Sequence, residues 1–255
     1  MSIVAEPVQY TPWSVEDSIA PRDSLISPCR THADFRAMAG DRDWQEIERI
    51  RCASEPWYWL VNYCVTEDAR WVEKGLASAY QLFPPKPYLQ SLADTLWRYR
   101  FVALPKARQM MVTWLVSCMV LGKAMFQGGR LYMVQSKLGR DAVAVLHRQI
   151  GVYRRMREFA PWLGPKMVSE TTGGDTGHVQ FDNGSQIWAV PEGPHYVQSH
   201  TPAWLVLDEA QLQANAEEAF YQALPACENI TLIGSAEYSW FCQTLLLDKV
   251  LHAPL

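Results

Sequence analysis

Four short, largely apolar runs recur along the chain: FVAL (101–104), RLYMVQ (130–135), WLVL (204–207) and NITLI (229–233). FVAL, RLYMVQ and WLVL do not alternate between polar and apolar positions, and NITLI closes on an apolar pair, so each reads as a buried strand, the habit of a parallel sheet. Between them the period becomes helical. Residues 113–126 are mostly apolar and closed by Gly128-Gly129, and 137–158 keep Ala142, Val145, Leu146, Ile150 and Tyr153 on one face. Strand, helix, strand, helix implies parallel strands joined by crossover helices. VQF (179–181) and QIWAV (186–190) flank Asp182-Asn-Gly-Ser and read as a hairpin. The segment 161–177, with its TTGGDTG, reads as a flexible loop.

Upstream the pattern weakens. Residues 1–42 are rich in Pro, Ser and charge without a sustained period, which reads as an arm or loop. Residues 43–50, DWQEIERI, have a cap and helical spacing, and the aromatic run WYWLVNYCV (57–65) reads as a buried helix or as a docking surface. Residues 82–90, LFPPKPYLQ, lead through prolines into a helix ending near Arg98. The chain thus divides into an N-terminal arm, 1–56, and a main α/β domain, 57–255.

Chemistry concentrates where the first strand gives way to a helix, in FVALPKARQMMVTW (101–114). A strand, loop and helix N-terminus aim backbone N–H groups and the positive end of the helix dipole at one point, which suits a phosphate. Lys106, Ala107, Arg108, Gln109, Met110, Met111, Val112 and Thr113 would form the cradle. Against the pattern G-x-x-x-x-G-K-[ST], Thr113 matches. Lys106, Met111 and Val112 stand at the first Gly, the second Gly and the Lys. Lys106 or Arg108 could supply the missing cation from the strand side. An ordinary strand-to-helix connection with solvated Lys106 and Arg108 is the competing reading.

About a hundred residues on, WLVL runs straight into Asp208-Glu209. An acid at the end of a central strand can hold Mg2+ through water, and its neighbour can polarise an attacking water. The plainer alternative is an acidic helix cap. The two stretches support each other because a nucleotide site needs both.

Together with Gly234-Ser235-Ala236 after the next strand, Lys106-Ala-Arg-Gln-Met-Met-Val-Thr-Trp and Asp208-Glu209 resemble the motor ATPase half of tailed-phage terminase large subunits. Many of these carry a deviant Walker A, K-x-R-Q-x-G-x-[ST]-W, with the working lysine first. Lys106, Arg108, Gln109, Thr113 and Trp114 match it, and Met111 stands where Gly is usual. Gly184-Ser185-Gln186-Ile187 is similar to a hairpin found before Walker B in the family, although many relatives carry Arg near the position of Gln198. The resemblance covers roughly 57–241.

It implies an α/β P-loop NTPase fold of the ASCE/RecA-like type, with a central, mainly parallel sheet flanked by helices. It implies ATP and Mg2+ as ligands, Lys106 and Arg108 against the phosphates, and Thr113 and Asp208 on the metal. Glu209 is then the catalytic acid beside the water, Gln90 the reader of adenine, and Ser235 the link between nucleotide and movement. Arg140 or Arg148 is implied as the arginine offered to a neighbouring subunit. Double-stranded DNA, a portal protein and a terminase small subunit are the implied partners. A homo-oligomeric ring would form on assembly, from a monomer in isolation, in the cytoplasm of the infected bacterium and not in the virion. Complete large subunits continue into a nuclease domain, so no DNA cleavage is expected of these residues.

Composition changes this picture little. With 255 residues, 49% hydrophobic and 20% charged, the chain can bury a large core. The net charge of −4 advertises no nucleic-acid surface, so DNA contact would be local and shared among subunits. Six cysteines form no C-x-x-C and no His/Cys cluster, which reads as reduced thiols without structural zinc. No apolar run approaches membrane length, and the N-terminus lacks a signal-peptide pattern. Two rival readings stay open: a helicase-like remodelling ATPase, and a non-hydrolysing scaffold with a decayed nucleotide site.

Overall fold

A computed structural model describes residues 40–68, 79–107, 110–235, 237 and 239–246. The N-terminal helices are α1 (Arg42–Ser54) and α2 (Pro56–Tyr63), followed by a small ribbon of β1 (Val65–Glu67) and β2 (Tyr80–Leu82) and by helix α3 (Pro87–Arg98). The main domain follows as β3 (Phe101–Pro105), α4 (Val112–Phe126), β4 (Leu131–Ser136), α5 (Gly139–Phe159), β5 (Met167–Thr171), β6 (Gly177–Phe181), β7 (Gln186–Pro191), α6 (Pro194–Gln198), β8 (Trp204–Leu207), α7 (Ala216–Ala223), β9 (Asn229–Gly234) and α8 (Trp240–Leu246).

Seven strands form one sheet in the order β3-β9-β8-β4-β7-β6-β5. The first five are parallel, and β5 and β6 close the far edge in antiparallel register. Because successive strand residues point to opposite faces, each apolar strand feeds two cores. Trp204 and Val206 join the layer under α3, α4 and α5, while Leu205 and Leu207 join the layer under α7 and α8. β4 repeats the division, with Tyr132 and Val134 on one side and Met133 on the other.

The helix face expected within 137–158 is buried as the spacing predicts: Ala142, Val145, Leu146, Ile150 and Tyr153 all lie in the core. The hairpin is also present, turning through Gly184 at φ 83°, a conformation that suits a residue without Cβ. The flexible loop expected over 161–177 is corrected. It contains strand β5, whose burial alternates weakly at the sheet edge and whose order comes from pairing with β6. Such an edge strand has no apolar run to announce it.

The aromatic run 57–65 is helix α2 through Tyr63, then the start of β1, and it is buried throughout. Trp59 anchors it. Its indole N–H donates to the Cys118 carbonyl at 2.9 Å and its ring stacks on Tyr63 at 6.0 Å. It sits so close to α4 that a Cβ on Gly122 would come within 2.8 Å of Nε1. α1 is fastened to α2 through the buried carboxylate of Glu48, which accepts from the hydroxyls of Tyr58 and Tyr63. No described helix is long and apolar enough to cross a membrane.

Replacing Trp59 by Ala removes a fully buried ring and its added bond to the Cys118 carbonyl. Chemical denaturation is expected to show a loss of about 3–5 kcal/mol, against less than about 0.5 kcal/mol for an exposed change such as Ile47→Ala.

Candidate active site

Three neighbouring strands end together on one edge of the sheet. β3 runs out into Lys106, β9 into Ser235, and β8 into Asp208 and Glu209, in the spatial order β3-β9-β8. Parallel pairing sets this in register, Pro105 opposite Gly234 and Leu207 opposite Leu232. In open parallel sheets this edge is where ligands bind, because loops leave it freely and helix N-termini point at it.

The side chains there form one connected set. Lys106 Nζ lies 3.0 Å from Glu209 Oε1 and 3.4 Å from Thr113 Oγ1, and the Thr113 hydroxyl is 3.3 Å from Asp208 Oδ1. The Lys106 amide also donates to the Gly234 carbonyl at 2.8 Å, tying the start of the loop to β9. Thr113 is in the first turn of α4, so its hydroxyl and the helix's first amides face the same space. Arg108 and Gln109 lie outside the described residues.

Two residues at this edge carry left-handed backbone without being glycine: Met111 at φ 56° and Glu209 at φ 53°. A non-glycine residue there costs on the order of 1–3 kcal/mol and persists only where its surroundings impose it. For Met111 the surroundings are visible. It caps α4 in the conformation that Gly would adopt freely, while its side chain packs, partly buried, against the main core, as does that of Met110. The Tyr88 hydroxyl donates to the Met110 carbonyl at 3.2 Å and braces the loop from α3.

Asp208 is almost wholly buried, and burial raises its carboxyl above the usual range. Lys106 opposes that shift, Glu209 adds to it, and Arg148 and the Thr113 hydroxyl favour the charged form. Its backbone is held by Gln213, whose amide donates to the carbonyls of Asp208 at 2.8 Å and Gln135 at 3.2 Å. Glu209 is less buried. Its second oxygen accepts from Gln211 Nε2 at 2.7 Å, and Gln211 Oε1 accepts from the Ser235 amide at 3.0 Å. Sequence reading assigned no role to Gln211, Gln213 or Gln135, because nothing in their spacing marks a loop amide that folds back on a strand end.

Lys106, Thr113, Asp208, Glu209 and Ser235 are thus brought together. Gln90 lies elsewhere on α3, lining a cleft of about 310 Å3 with Trp57, Asp94, Trp97 and Arg98. Arg148 has its guanidinium 5.8 Å from the Trp114 ring, on this chain's own side of the site. Arg140 points outward with 78% of its side chain exposed, beside Asp141. Among the described residues no group of three or more His, Cys, Asp or Glu could hold a metal unaided. Thr113 and Asp208 present two oxygens to the same space, a donor set that suits a hard cation whose remaining ligands are water and phosphate.

No protein-family model matches the chain, and no curated protein matches it. Solved structures do. The large terminase of bacteriophage HK97 matches with a TM-score of 0.54 at 14% identity, over 78% of this chain and 41% of that one. A mutant ATPase domain of the large terminase of Thermus phage P74-26 matches with a TM-score of 0.50 at 17% identity, over 71% and 75% of the two chains. The fold is therefore that of an α/β P-loop NTPase. More narrowly, it is the fold of phage large terminase ATPase domains.

Because its carboxyl is raised by burial, ionised Asp208 weighs against the folded state: the stability it allows is present at low pH and lost as pH rises through its raised folded value. Asp208→Asn is expected to raise the melting temperature of the ligand-free protein at pH 8, with the gain shrinking toward pH 4. A pH series of melting curves checks this.

Proposed function

We propose that this chain is the ATP-hydrolysing motor domain of a viral DNA-packaging terminase, driving double-stranded DNA into a procapsid. The observation that carries the reading is the meeting of Lys106, Thr113, Asp208 and Glu209 at adjacent strand ends. The fold shared with terminase ATPase domains supports it.

In this mechanism Lys106 leaves Glu209 for the β- and γ-phosphates of ATP, and the first amides of α4 bind the same oxygens. Thr113 and Asp208 would hold Mg2+, which when bound supplies positive charge against the phosphate oxygens. Glu209, released from Lys106, accepts a hydrogen bond from the attacking water and orients it. Water adds to the γ-phosphorus and the bond to the bridging oxygen breaks, leaving ADP and phosphate. Arg108 is assigned to γ-phosphate in its own subunit and Gln90 to the adenine edge. Ser235 passes loss of γ-phosphate on to β9.

The exposed Arg140 is better placed than Arg148 to reach a neighbouring subunit in a homo-oligomeric ring. A monomer receives no arginine from a neighbour, which would slow turnover by about a thousandfold or more. Portal protein and terminase small subunit are the expected partners, in the cytoplasm of an infected bacterium. Met111 and Val112, in place of the usual Gly and Lys, favour one second reading, a non-hydrolysing scaffold.

The test is phosphate release from Mg-ATP across a wide range of protein concentration, beside Lys106→Ala and Glu209→Gln. Activity per subunit should rise with concentration. Glu209→Gln should lower it by about 10²–10⁴-fold while ATP still protects the fold, and Lys106→Ala should abolish both. A parent that neither binds ATP nor releases phosphate hands the lead to the scaffold.

A further inference from the structure

We infer that Gln211 is a positioning residue that sets the orientation of Glu209 and couples it to the end of β9. This deepens the ATPase reading above and rests on it. The residue sits in a 3-10 turn, Ala210–Leu212, which the left-handed Glu209 initiates. That turn is pinned from below by the Gln213 amide on the Asp208 carbonyl, so Gln211 has a defined starting point.

The amide uses its two ends differently. Nε2 donates to Glu209 Oε2 at 2.7 Å, and Oε1 accepts from the Ser235 amide at 3.0 Å. A carboxamide donates to a carboxylate and accepts from an N–H at once, which a side chain of this length ending in a carboxylate cannot do. The backbone beneath is shaped for it: a Cβ on Gly234 would come within 2.5 Å of Gln211 Oε1 and 2.8 Å of the Phe241 ring. Gly234 therefore leaves room for both the amide and the first turn of α8.

Glu209 is held at both oxygens, Oε1 by Lys106 and Oε2 by Gln211. An anion that draws Lys106 away removes the Lys106 bond at Oε1. Gln211 keeps Oε2, so the carboxylate turns about a fixed point rather than swinging loose. The same amide holds Ser235, so displacement of Glu209 is felt at the end of β9, whose Gly234 carbonyl in turn accepts from Lys106. The loop is closed: Lys106, Glu209, Gln211 and the β9 terminus constrain one another, and an arriving phosphate changes one member of the ring.

Two substitutions separate positioning from mere anchoring. Gln211→Ala removes both bonds. Gln211→Glu keeps an acceptor for Ser235 but, once ionised at the alkaline end of the assay range, cannot donate to Glu209. On the full chain with Mg-ATP, both variants are expected to lose about 10–100-fold in kcat with KM changed less than about threefold. Mg-ADP should still raise the melting temperature of each. Amide hydrogen exchange at 229–235 should respond to Mg-ADP in the parent and in neither variant. Parent-like kcat in Gln211→Glu would mean that the amide only fastens the turn, and the inference falls. An exchange response equal in parent and Gln211→Ala removes the coupling. A parent without phosphate release or Mg-ADP stabilisation sinks the ATPase reading itself, and this inference with it. Active parent and equally active variants sink this inference alone.

Discussion

The ion pair between Lys106 and Glu209 joins two strand ends 103 residues apart, and the arrangement of the site depends on it. Lys106 is largely buried where β3 gives way to the loop before α4, and a buried ammonium needs an anion. Glu209 supplies one from β8, and Thr113 lies within reach from α4. With Asp208 desolvated beside them, one cation is shared among groups that also suit a phosphate and an oxygen-bound metal. An incoming anion therefore competes with Glu209 for Lys106. That competition is the simplest route by which binding could alter the carboxylate's position.

Geometry at this edge is held by strain offset elsewhere. Met111 and Glu209 both adopt backbone that glycine would take freely, one ahead of α4 and the other at the end of β8. Met111 is held by the packing of its own side chain, Met110 by a hydroxyl from Tyr88, and Glu209 by side-chain bonds to Lys106 and Gln211. The departure from a glycine-rich loop is thus a trade of backbone freedom for apolar contact. Met110 and Met111 are thereby set by the core beneath them.

The two-sided core makes this possible. Strands with apolar residues on both faces are clamped between helical layers, so their ends cannot shift independently. The aromatic N-terminal segment adds to one layer only. Trp59 on Gly122 and the buried Glu48 with its two tyrosines tie α1 and α2 to the helix that carries Thr113.

The central strands and long helices were legible in the chain because uninterrupted apolar runs and a 3.6-residue period are local signals, and burial on both faces follows from them. Lys106, Thr113, Asp208 and Glu209 were legible because each stands at a strand end or in the first turn of a helix, where position alone suggests a task. Strand β5 was not, since an edge strand owes its order to a partner rather than to its own composition. Nor were Gln211 and Gln213, whose bonds are to backbone and side chains brought near only by the sheet order β3-β9-β8. The means by which Met111 replaces glycine was likewise decided by tertiary packing. Local sequence carries the period and the turn; which distant groups share one edge of the sheet is a property of the closed fold.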